Sequence, residues 1–333
     1  VNGLLRPMSW LMQRHGVDAD PRFRRFVDEQ MLISTQSTSE HAPYLTGAMG
    51  LTYPSETYYP VGGMYVPAVQ LLRHITKHGG EVKFRRRVTS VVRRPSSNEH
   101  RTSDAGRWTV TCANGETYEA QNVISSIPIW NMQHLTTERV ADHYAQLSKR
   151  FNFSWSALTM YMALEQQPEL PAPYIQMHLD EPIDGVDSRS LFLSMSMPGD
   201  EKKAPGGHCT VTVSTHTKGN WEQGTGNREW GMRKELVMKK MLEAIRRRMP
   251  EIDLDRMVHL EGGTPETWVK YTSRYRGFVG GIPHTTKRSM LSMPKNVTPF
   301  RGLYQIGDSA FPGQGTPAVI LGAWNTVARI FAS

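Results

Sequence analysis

Four stretches of the chain space their apolar residues three or four positions apart and therefore predict helices. Residues 21–34 (PRFRRFVDEQMLIS) follow an aspartate, which is a favourable residue at the start of a helix. Residues 66–80 (VPAVQLLRHITKHGG) end in a glycine pair, which favours a helix stop. Residues 226–250 form the longest stretch and end at a proline, and residues 316–330 form the last one.

Alternating apolar and polar residues predict strands between these helices. Residues 81–94 (EVKFRRRVTSVVRR) predict a strand of about ten residues. Residues 107–120 predict a hairpin, because Asn114-Gly115 is a favourable two-residue turn. Further strands are expected in residues 122–128, 151–164 and 208–216, and a polar loop in residues 95–107.

A strand, an acid, a glycine-rich turn and a helix follow one another in residues 302–330. Residues 303–306 read as a buried strand, and Asp308 stands at its carboxyl end. A helix N-terminus offers unpaired N–H groups and a partial positive charge, while Gly313 and Gly315 let the main chain approach a ligand closely. We therefore predict a cofactor cradle in which Asp308 accepts hydrogen bonds from sugar or ribityl hydroxyls.

Residues 313–318 (GQGTPA) also match the GxGxxG/A pattern of dinucleotide-binding turns. Such a turn opens a βαβ unit of about 30 residues with an acid about 20 residues beyond the glycines. Too few residues follow position 318 for that unit, so the position of the match argues against it. An ordinary glycine turn with a solvated acid stays open as an alternative.

The composition is that of a globular chain large enough for two domains, with 333 residues of which 38% are hydrophobic. No run of 18 apolar residues occurs, so no membrane-spanning helix is expected. Two cysteines, Cys112 and Cys209, make no disulfide framework, which favours a reducing compartment. We therefore expect a cytoplasmic location.

The formal net charge is +8, and arginines supply much of it in short runs. The runs include residues 22–25, 85–87, 93–94 and 246–248. Each run alone is typical of a solvated face. Together they favour peripheral contact with an anionic membrane or a phosphate-bearing ligand, whereas nucleic acid is not expected because no zinc-finger or RRM signature accompanies them.

Two other constellations suggest chemistry only weakly. His74 and His78 lie four residues apart on a predicted helix, but no third ligand is apparent, so we expect no metal site. Ser309 follows Gly307-Asp308, which is not the GxSxG pattern of serine hydrolases, so serine hydrolysis is not expected.

Four blocks of the chain resemble the phytoene-desaturase-type flavoproteins, a group that includes carotenoid desaturases, carotenoid isomerases and retinol saturases. The blocks are YYPVGGMYVPAVQLLRHITKHGGEVKFRRRVTSV, GETYEAQNVISSIP, YRGFVGGIPH and GLYQIGDSAFPGQGTPAVILGAWNTVARI. The resemblance extends over nearly the whole chain, and the last block is its most specific part. It places the chain in the wider amine-oxidase-like FAD superfamily.

The resemblance implies an α/β fold with an FAD/NAD(P)-binding Rossmann-like domain of the glutathione-reductase type and a mixed-sheet α+β substrate domain. We expect substrate-domain segments in residues 1–54 and 131–262, and FAD-domain segments in residues 55–130 and 263–333. The strand, GxGxxG turn and helix that open such proteins are not found in this sequence. The FAD domain is therefore expected to be N-terminally incomplete and to need a preceding segment or a partner chain.

The resemblance also assigns roles to individual residues. Val88 would meet the adenine of FAD through its backbone, Asp308 would hold the ribityl chain, and the turn into the last helix would face the pyrophosphate or the flavin O2 edge. The expected cofactor-binding residues are Val88, Gly307, Asp308, Ser309, Gly315, Thr316, Pro317 and Ala318. The expected substrate-lining residues are Tyr58, Tyr59, Gly62, Gly63, Arg276 and His284.

By resemblance, the expected activity is that of an FAD-dependent oxidoreductase acting on an apolar polyene, with hydride transfer to flavin N5. Desaturation is preferred over isomerisation and saturation, and no catalytic base is assigned. A flavin amine oxidase is one alternative. A non-catalytic or assembly subunit that needs a separate FAD-binding part is the other.

Overall fold

The computed structural model describes residues 3–52, 57–93, 106–218, 227–288 and 290–332, without the side chains of residues 227–232. The helices are α1 Met8–Arg14, α2 Pro21–Thr35, α3 Tyr44–Thr52, α4 Tyr65–Lys77, α5 Ile129–Met132, α6 Glu138–Arg150, α7 Asn227–Arg248, α8 Pro265–Thr272 and α9 Thr316–Ala332. The strands are β1 Val88–Arg93, β2 Trp108–Cys112, β3 Thr117–Ala120, β4 Val123–Ser125, β5 Ser156–Leu164, β6 Tyr174–His178, β7 Ser190–Met195, β8 Cys209–Thr217, β9 Met257–Gly263 and β10 Leu303–Gln305.

The largest described sheet has five strands in the order β6-β7-β8-β5-β9. Every neighbouring pair in it is antiparallel, so the expectation of a mixed sheet is wrong for the described strands. The physical reason is that β6, β7 and β8 are consecutive in the chain and adjacent in the sheet, so each reverses direction relative to the one before. A parallel pair would need a crossover connection between the strands.

Alternate residues of this sheet form the largest hydrophobic core, because successive side chains of a strand point to opposite faces. In β8, Cys209, Val211 and Val213 are buried, while the residues between them are partly exposed. α7 supplies Val237 and Met241 to the same core. The strands predicted in residues 151–164 and 208–216 are thereby confirmed.

Strands β1, β2 and β3 form a separate antiparallel sheet. The predicted hairpin is confirmed, and Gly115 has a φ of 85° in its turn. The strand predicted in residues 81–94 is shorter than expected, since β1 begins only at Val88. Arg85 has a φ of 57°, a left-handed conformation that is incompatible with a continuous strand.

Strands β4 and β10 pair in parallel, with Leu303 opposite Val123 and Gln305 opposite Ser125. Both were predicted as short strands, and both are confirmed. Leu303 is buried in a second core together with Trp108 and Tyr144. Because the strands are parallel, their carboxyl ends lie at one edge, and the Gly307-Asp308 turn follows β10 at that edge.

The N-terminal helices form a third small core around Met8, Val27 and Met31. The helix predicted in residues 21–34 is confirmed as α2. Its start is explained by Asp20, whose carboxylate accepts a hydrogen bond of 2.8 Å from the Arg22 N–H.

The helices predicted in residues 66–80 and 316–330 are confirmed as α4 and α9, and both leave apolar surface uncovered. α4 has no buried residue, and α9 exposes Ile320, Trp324 and Phe331. None of the helices in the described ranges is long and apolar enough to cross a bilayer.

Parts of four predictions lie outside the described residues. They are the last residue of the strand at 81–94, most of the loop at 95–107, the first residue of the helix at 226–250 and the boundary between positions 54 and 55. The described part of the long helix is confirmed as α7. The division into four domain segments stays a prediction.

Candidate cofactor site

The turn after β10 carries an acid that is held by an ion pair. The Asp308 Oδ2 atom lies 2.6 Å from the Arg274 Nη2 atom, and the side chains are 21% and 22% exposed. Arg274 also donates a hydrogen bond from Nε to the Phe278 carbonyl. The guanidinium therefore ties the Asp308 turn to the segment that follows α8.

The electrostatics of Asp308 reflect two opposing effects. Burial raises the pKa of its carboxyl above the usual value, and the nearby Arg274 guanidinium lowers it. Burial is the larger effect. A carboxylate in this position gains from any further hydrogen-bond donor, such as a sugar or ribityl hydroxyl.

The beginning of α9 opens onto free space beside this acid. Gly315, Thr316 and Pro317 are exposed, and no atom lies within 4 Å of the point where a Cβ of Gly315 would stand. Among the described residues, no partner accepts the N–H groups of Thr316 and Ala318. The N-terminus of a 17-residue helix is therefore available to the electron-rich edge of a ligand.

Gly281 packs closely against this turn. A Cβ added to Gly281 would lie 2.7 Å from the Asp308 carbonyl oxygen and 2.8 Å from the Gln314 Cβ. The Gly281 N–H also donates a 2.9 Å hydrogen bond to the Gln314 side chain. Gln314 in turn donates to the Ile33 carbonyl of α2, so the turn is braced against the N-terminal helices.

His284 is a buried polar residue at the same turn. It is 9% exposed, and its Nε2 atom has no hydrogen-bond partner among the described residues. A Cβ added to Gly313 would stand 2.9 Å from that atom, so the ring faces the glycine turn. Burial lowers the pKa of His284 to about 4, and the imidazole is therefore neutral at physiological pH.

Ser309, although next to Asp308, is a packing residue in this structure. It is fully buried, and its Oγ atom accepts a 3.1 Å hydrogen bond from the Ile129 N–H. A buried hydroxyl engaged in this way is not the exposed nucleophile of a hydrolase.

Val88 lies far from this turn in the sequence, and it belongs to a different sheet from β10. It is the first residue of β1 and pairs with Cys112, and its side chain is partly buried against the second core. The register shifts between Val88 and Ser90, which leaves an irregular backbone at the position expected to meet adenine. Its assignment to the adenine stays a prediction.

The YYPVGGM block contacts the loop between β7 and β8 of the five-stranded sheet. The hydroxyl of Tyr59 and the N–H of Gly62 each donate a 2.7 Å hydrogen bond to Asp200. Burial and the bond to Asp200 raise the pKa of Tyr59 to about 12. Tyr58 is 87% exposed, and Gly63 lies against the Lys203 side chain. Their substrate-lining role stays a prediction.

Arg276 lies in the short turn Tyr275–Gly277 with a φ of 52°, and its guanidinium stands 5.4 Å from the centre of the Tyr275 ring.

The side chains of His74 and His78 approach each other, with ring centres 4.1 Å apart. No group of three metal-binding side chains occurs in the described part of the chain.

Sequence reasoning missed three residues that hold the turn in place: Arg274, Gln314 and Gly281. Arg274 lies one residue before the YRGFVGGIPH block, and Gly281 lies inside it. The glycine pair was a usable signal, because adjacent glycines often mark a close backbone approach. The long-range pairing of Arg274 with Asp308, 34 residues apart, leaves no local pattern.

The residues of this turn fit the isoalloxazine and ribityl end of FAD. Asp308 suits hydroxyl donors, the free N–H groups of α9 suit a carbonyl edge that carries negative charge, and Gly315 leaves room for a flat ring. His284 adds a buried nitrogen without a partner. Of the expected cofactor residues, the structure brings together those from Gly307 to Ala318.

Curated proteins that resemble this chain carry carotenoid-related names. Prolycopene isomerase of Daucus carota is 27% identical over 308 residues, which cover 90% of this chain and 48% of the relative. The 1-hydroxycarotenoid 3,4-desaturase of Flavobacterium sp. (strain P99-3) is 24% identical over 297 residues, which cover 85% and 58%. The chain spans about half the length of the curated relatives that it matches.

Solved structures of amine oxidases share the fold. Putrescine oxidase bound to putrescine superposes with a TM-score of 0.61 at 12% identity, over 100% of this chain and 69% of that one. Cyclohexylamine oxidase of Brevibacterium oxydans gives a TM-score of 0.52 at 10% identity, over 98% and 67%. At this level of identity the likeness establishes the fold, which agrees with the expected α/β FAD-binding architecture.

The family model described as flavin containing amine oxidoreductase matches residues 11–331. Together with the relatives, it confirms the resemblance on which an FAD-dependent oxidoreductase was predicted, and it confirms FAD as the expected cofactor. The chain belongs to the flavin-containing amine oxidoreductase family.

Proposed function

We propose that this chain is part of an FAD-dependent oxidoreductase of the phytoene desaturase type that acts on an apolar polyene, with desaturation preferred over isomerisation or saturation. The names of the relatives support the substrate class, since they include isomerases and desaturases of carotenoids. The single observation that carries the proposal is the turn from Gly307 to Ala318, where an ion-paired acid and a free helix N-terminus flank open space.

When bound, FAD supplies the hydride acceptor, its N5 atom. The chain would hold the cofactor through the Asp308 carboxylate and through the N–H groups of Thr316 and Ala318. The partial positive charge at the start of α9 favours a negatively charged cofactor edge, which makes electron acceptance easier. The ion pair with Arg274 holds the Asp308 carboxylate in a defined orientation.

On the substrate side, a polyene offers no group that needs a strong hydrogen bond, so positioning is the main contribution of the protein. His284 would line the reacting region as a neutral imidazole, because its pKa is lowered to about 4. A neutral ring avoids burying a charge beside an apolar chain.

The cofactor domain would be completed by a strand, a glycine-rich turn and a helix from a preceding segment or a partner chain. Two features support this part of the proposal. β4 and β10 form only a two-stranded parallel sheet among the described strands, and parallel sheets are normally larger and covered by helices. In addition, α4 and α9 leave apolar faces uncovered.

The alternative functions are a flavin amine oxidase, which the fold of putrescine oxidase supports, and a non-catalytic assembly subunit. One experiment separates them. The purified chain is loaded with FAD without oxygen and mixed with a linear carotene or with putrescine, and the visible flavin absorbance is followed. With FAD bound, bleaching by the carotene supports the proposal and bleaching by putrescine alone supports the amine oxidase. No bleaching of the bound flavin by either contradicts both and supports the non-catalytic subunit.

A further inference from the structure

A second feature of the molecule lies outside the cofactor turn: a wide cleft of about 760 Å³. Its walls come from α2, from the segment before β5, from residues 187–189 and from the loop of residues 283–288. Six cationic side chains line it, namely Arg24, Arg25, Arg189, Lys218, Lys287 and Arg288. Three acidic side chains line it as well, namely Asp28, Glu29 and Asp187.

The acidic side chains of the cleft are already engaged. Glu29 accepts hydrogen bonds of 2.5 Å and 2.7 Å from the Ser188 and Ser190 hydroxyls, and one of 2.7 Å from the Arg189 N–H. Asp28 accepts from the Ser39 N–H at 2.7 Å. The donors are neutral, so Asp28 and Glu29 keep their charge, and the six cations of the cleft still exceed its three carboxylates.

Asp187 and Arg24 are paired too. Asp187 accepts a 2.7 Å hydrogen bond from the Lys218 N–H, and its other oxygen lies 3.7 Å from the Lys218 ammonium. Arg24 forms an ion pair of 2.5 Å with Glu40. Two of the six cations thus have a carboxylate partner of their own.

Of the other four cations, Arg189 donates a 3.1 Å hydrogen bond to the Asp180 carbonyl, and three have no partner among the described residues. The side chains of Arg25, Lys287 and Arg288 make no ion pair or hydrogen bond with any residue that the structure describes. Arg25 and Arg288 are only partly exposed. Like charges held together in a partly desolvated cleft repel each other, so a bound anion would stabilise this arrangement.

Another part of the cleft is apolar. Leu32, Phe153 and Trp155 line it, and the two aromatic rings meet edge to face with centres 5.3 Å apart. The Trp155 indole N–H donates to the Gln36 carbonyl, which fixes the ring in its orientation. A rigid aromatic wall of this kind suits an apolar chain.

We propose that this cleft binds an amphipathic organic anion, whose carboxylate or phosphate lies among Arg25, Lys287 and Arg288 and whose apolar chain lies on Phe153 and Trp155. A pure hydrocarbon would desolvate these cations without compensating their charge. A small inorganic anion would leave the aromatic wall in water. A ligand with both parts satisfies both surfaces.

Such a ligand has two possible sources, a monomeric amphiphile in water or an anionic lipid in a bilayer, and the chemistry is the same for both. The cleft does not include the Asp308 turn among its lining residues. The proposal is therefore independent of flavin binding, and either proposal can fail without the other.

The first arm of the test uses cis-parinarate, a polyene carboxylate whose fluorescence rises in an apolar site, and its neutral methyl ester. Both are titrated into the full chain below the concentration at which they form micelles. We expect the carboxylate to bind at least about tenfold more tightly than the ester, since only the charged group forms charge-assisted hydrogen bonds with the arginines.

The double variant Arg25→Ala/Arg288→Ala should remove this preference and leave the affinity for the ester unchanged. The matched control is Arg73→Ala/Lys77→Ala, which removes two positive charges from exposed positions of α4 that do not line the cleft. A melting temperature equal to that of the unmodified chain shows that each variant is folded. Equal affinity for the acid and the ester, or an equal loss in the control, overturns the proposal.

The second arm distinguishes the sources. The chain is floated with vesicles of phosphatidylglycerol or of phosphatidylcholine. A bilayer lipid is the source if the chain floats with the anionic vesicles but not with the neutral ones, and if the double variant no longer floats. Parinarate binding without flotation identifies a monomeric amphiphile. Absence of both overturns the proposal.

Discussion

Arg274 and Asp308 form a largely buried ion pair in which the Nη2 and Oδ2 atoms are 2.6 Å apart. The pair joins the end of the α8 segment to the turn that follows β10. It gives the candidate flavin site a carboxylate of defined orientation, and it makes the stability of the turn depend on a residue 34 positions away.

Replacing Arg274 should destabilise the fold. We expect Arg274→Gln to lower the free energy of unfolding by about 2–3 kcal/mol, because Asp308 would be left largely buried without its cation. Urea unfolding followed by circular dichroism measures this change. The matched control is Arg246→Gln, which breaks an exposed pair with Asp255 and should cost less than about 1 kcal/mol. A similar loss in both variants would show that the buried pair has no special role.

Gly281 should tolerate no side chain. A Cβ there would meet the Asp308 carbonyl oxygen at 2.7 Å, so Gly281→Ala must displace the turn. We expect a loss of about 1–3 kcal/mol in stability and weaker FAD binding. Gly206→Ala is the control, since no atom lies within 4 Å of its Cβ position. The idea is wrong if both alanine variants bind FAD like the unmodified chain.

Acid should destabilise the chain through two buried histidines. Burial lowers the pKa of His284 and of His216 to about 4, from an ordinary value of 6.5. The unfolded chain takes up these protons below pH 6.5 and the folded chain does not, so stability is complete above pH 6.5 and falls towards pH 4.

Each histidine contributes a slope of at most about 1.4 kcal/mol per pH unit. Urea unfolding at several pH values should show this decline, and His284→Gln should make it shallower. His15→Gln, at an exposed position, is the matched control for the loss of an imidazole. An unchanged profile in His284→Gln would mean that this imidazole is not held neutral by the fold.

The apolar stripe of α9 should promote association of the chain. Ile320, Trp324 and Phe331 lie on one side of the helix and are 55%, 73% and 88% exposed. We expect Trp324→Glu to reduce self-association in light scattering without lowering the melting temperature. Arg329→Glu, which alters charge on the same helix and keeps the apolar stripe, is the control. Unchanged scattering in Trp324→Glu would argue against an exposed interaction surface.

Periodicity in the sequence was sufficient for the regular elements. α2, α4, α9 and the Asn114-Gly115 hairpin follow from local spacing and from residues that favour helix starts and turns. The strand predicted in residues 81–94 was too long, because the alternation of polar and apolar residues begins before Val88, where the observed strand starts. The left-handed conformation of Arg85 is not visible in that pattern.

Pairing between distant segments could not be predicted in the same way. The antiparallel order of the five-stranded sheet depends on which strands meet in space, and the partner of Asp308 depends on where α8 ends. Asp308 and the glycines before α9 were visible because they are contiguous in the chain. Arg274 and Gln314 became visible only once the chain was folded.

Titration of the chain with FAD, followed by the visible absorbance of the bound flavin, tests the central claim most directly. We predict saturable binding that Asp308→Asn weakens at least about tenfold, since a charge-assisted hydrogen bond to the ribityl chain is lost. Asp255→Asn, which removes an exposed carboxylate, should leave the affinity unchanged. Equal affinity in Asp308→Asn would contradict the assignment of this turn to the flavin. No saturable binding by the unmodified chain would instead show that the preceding segment or partner chain is required.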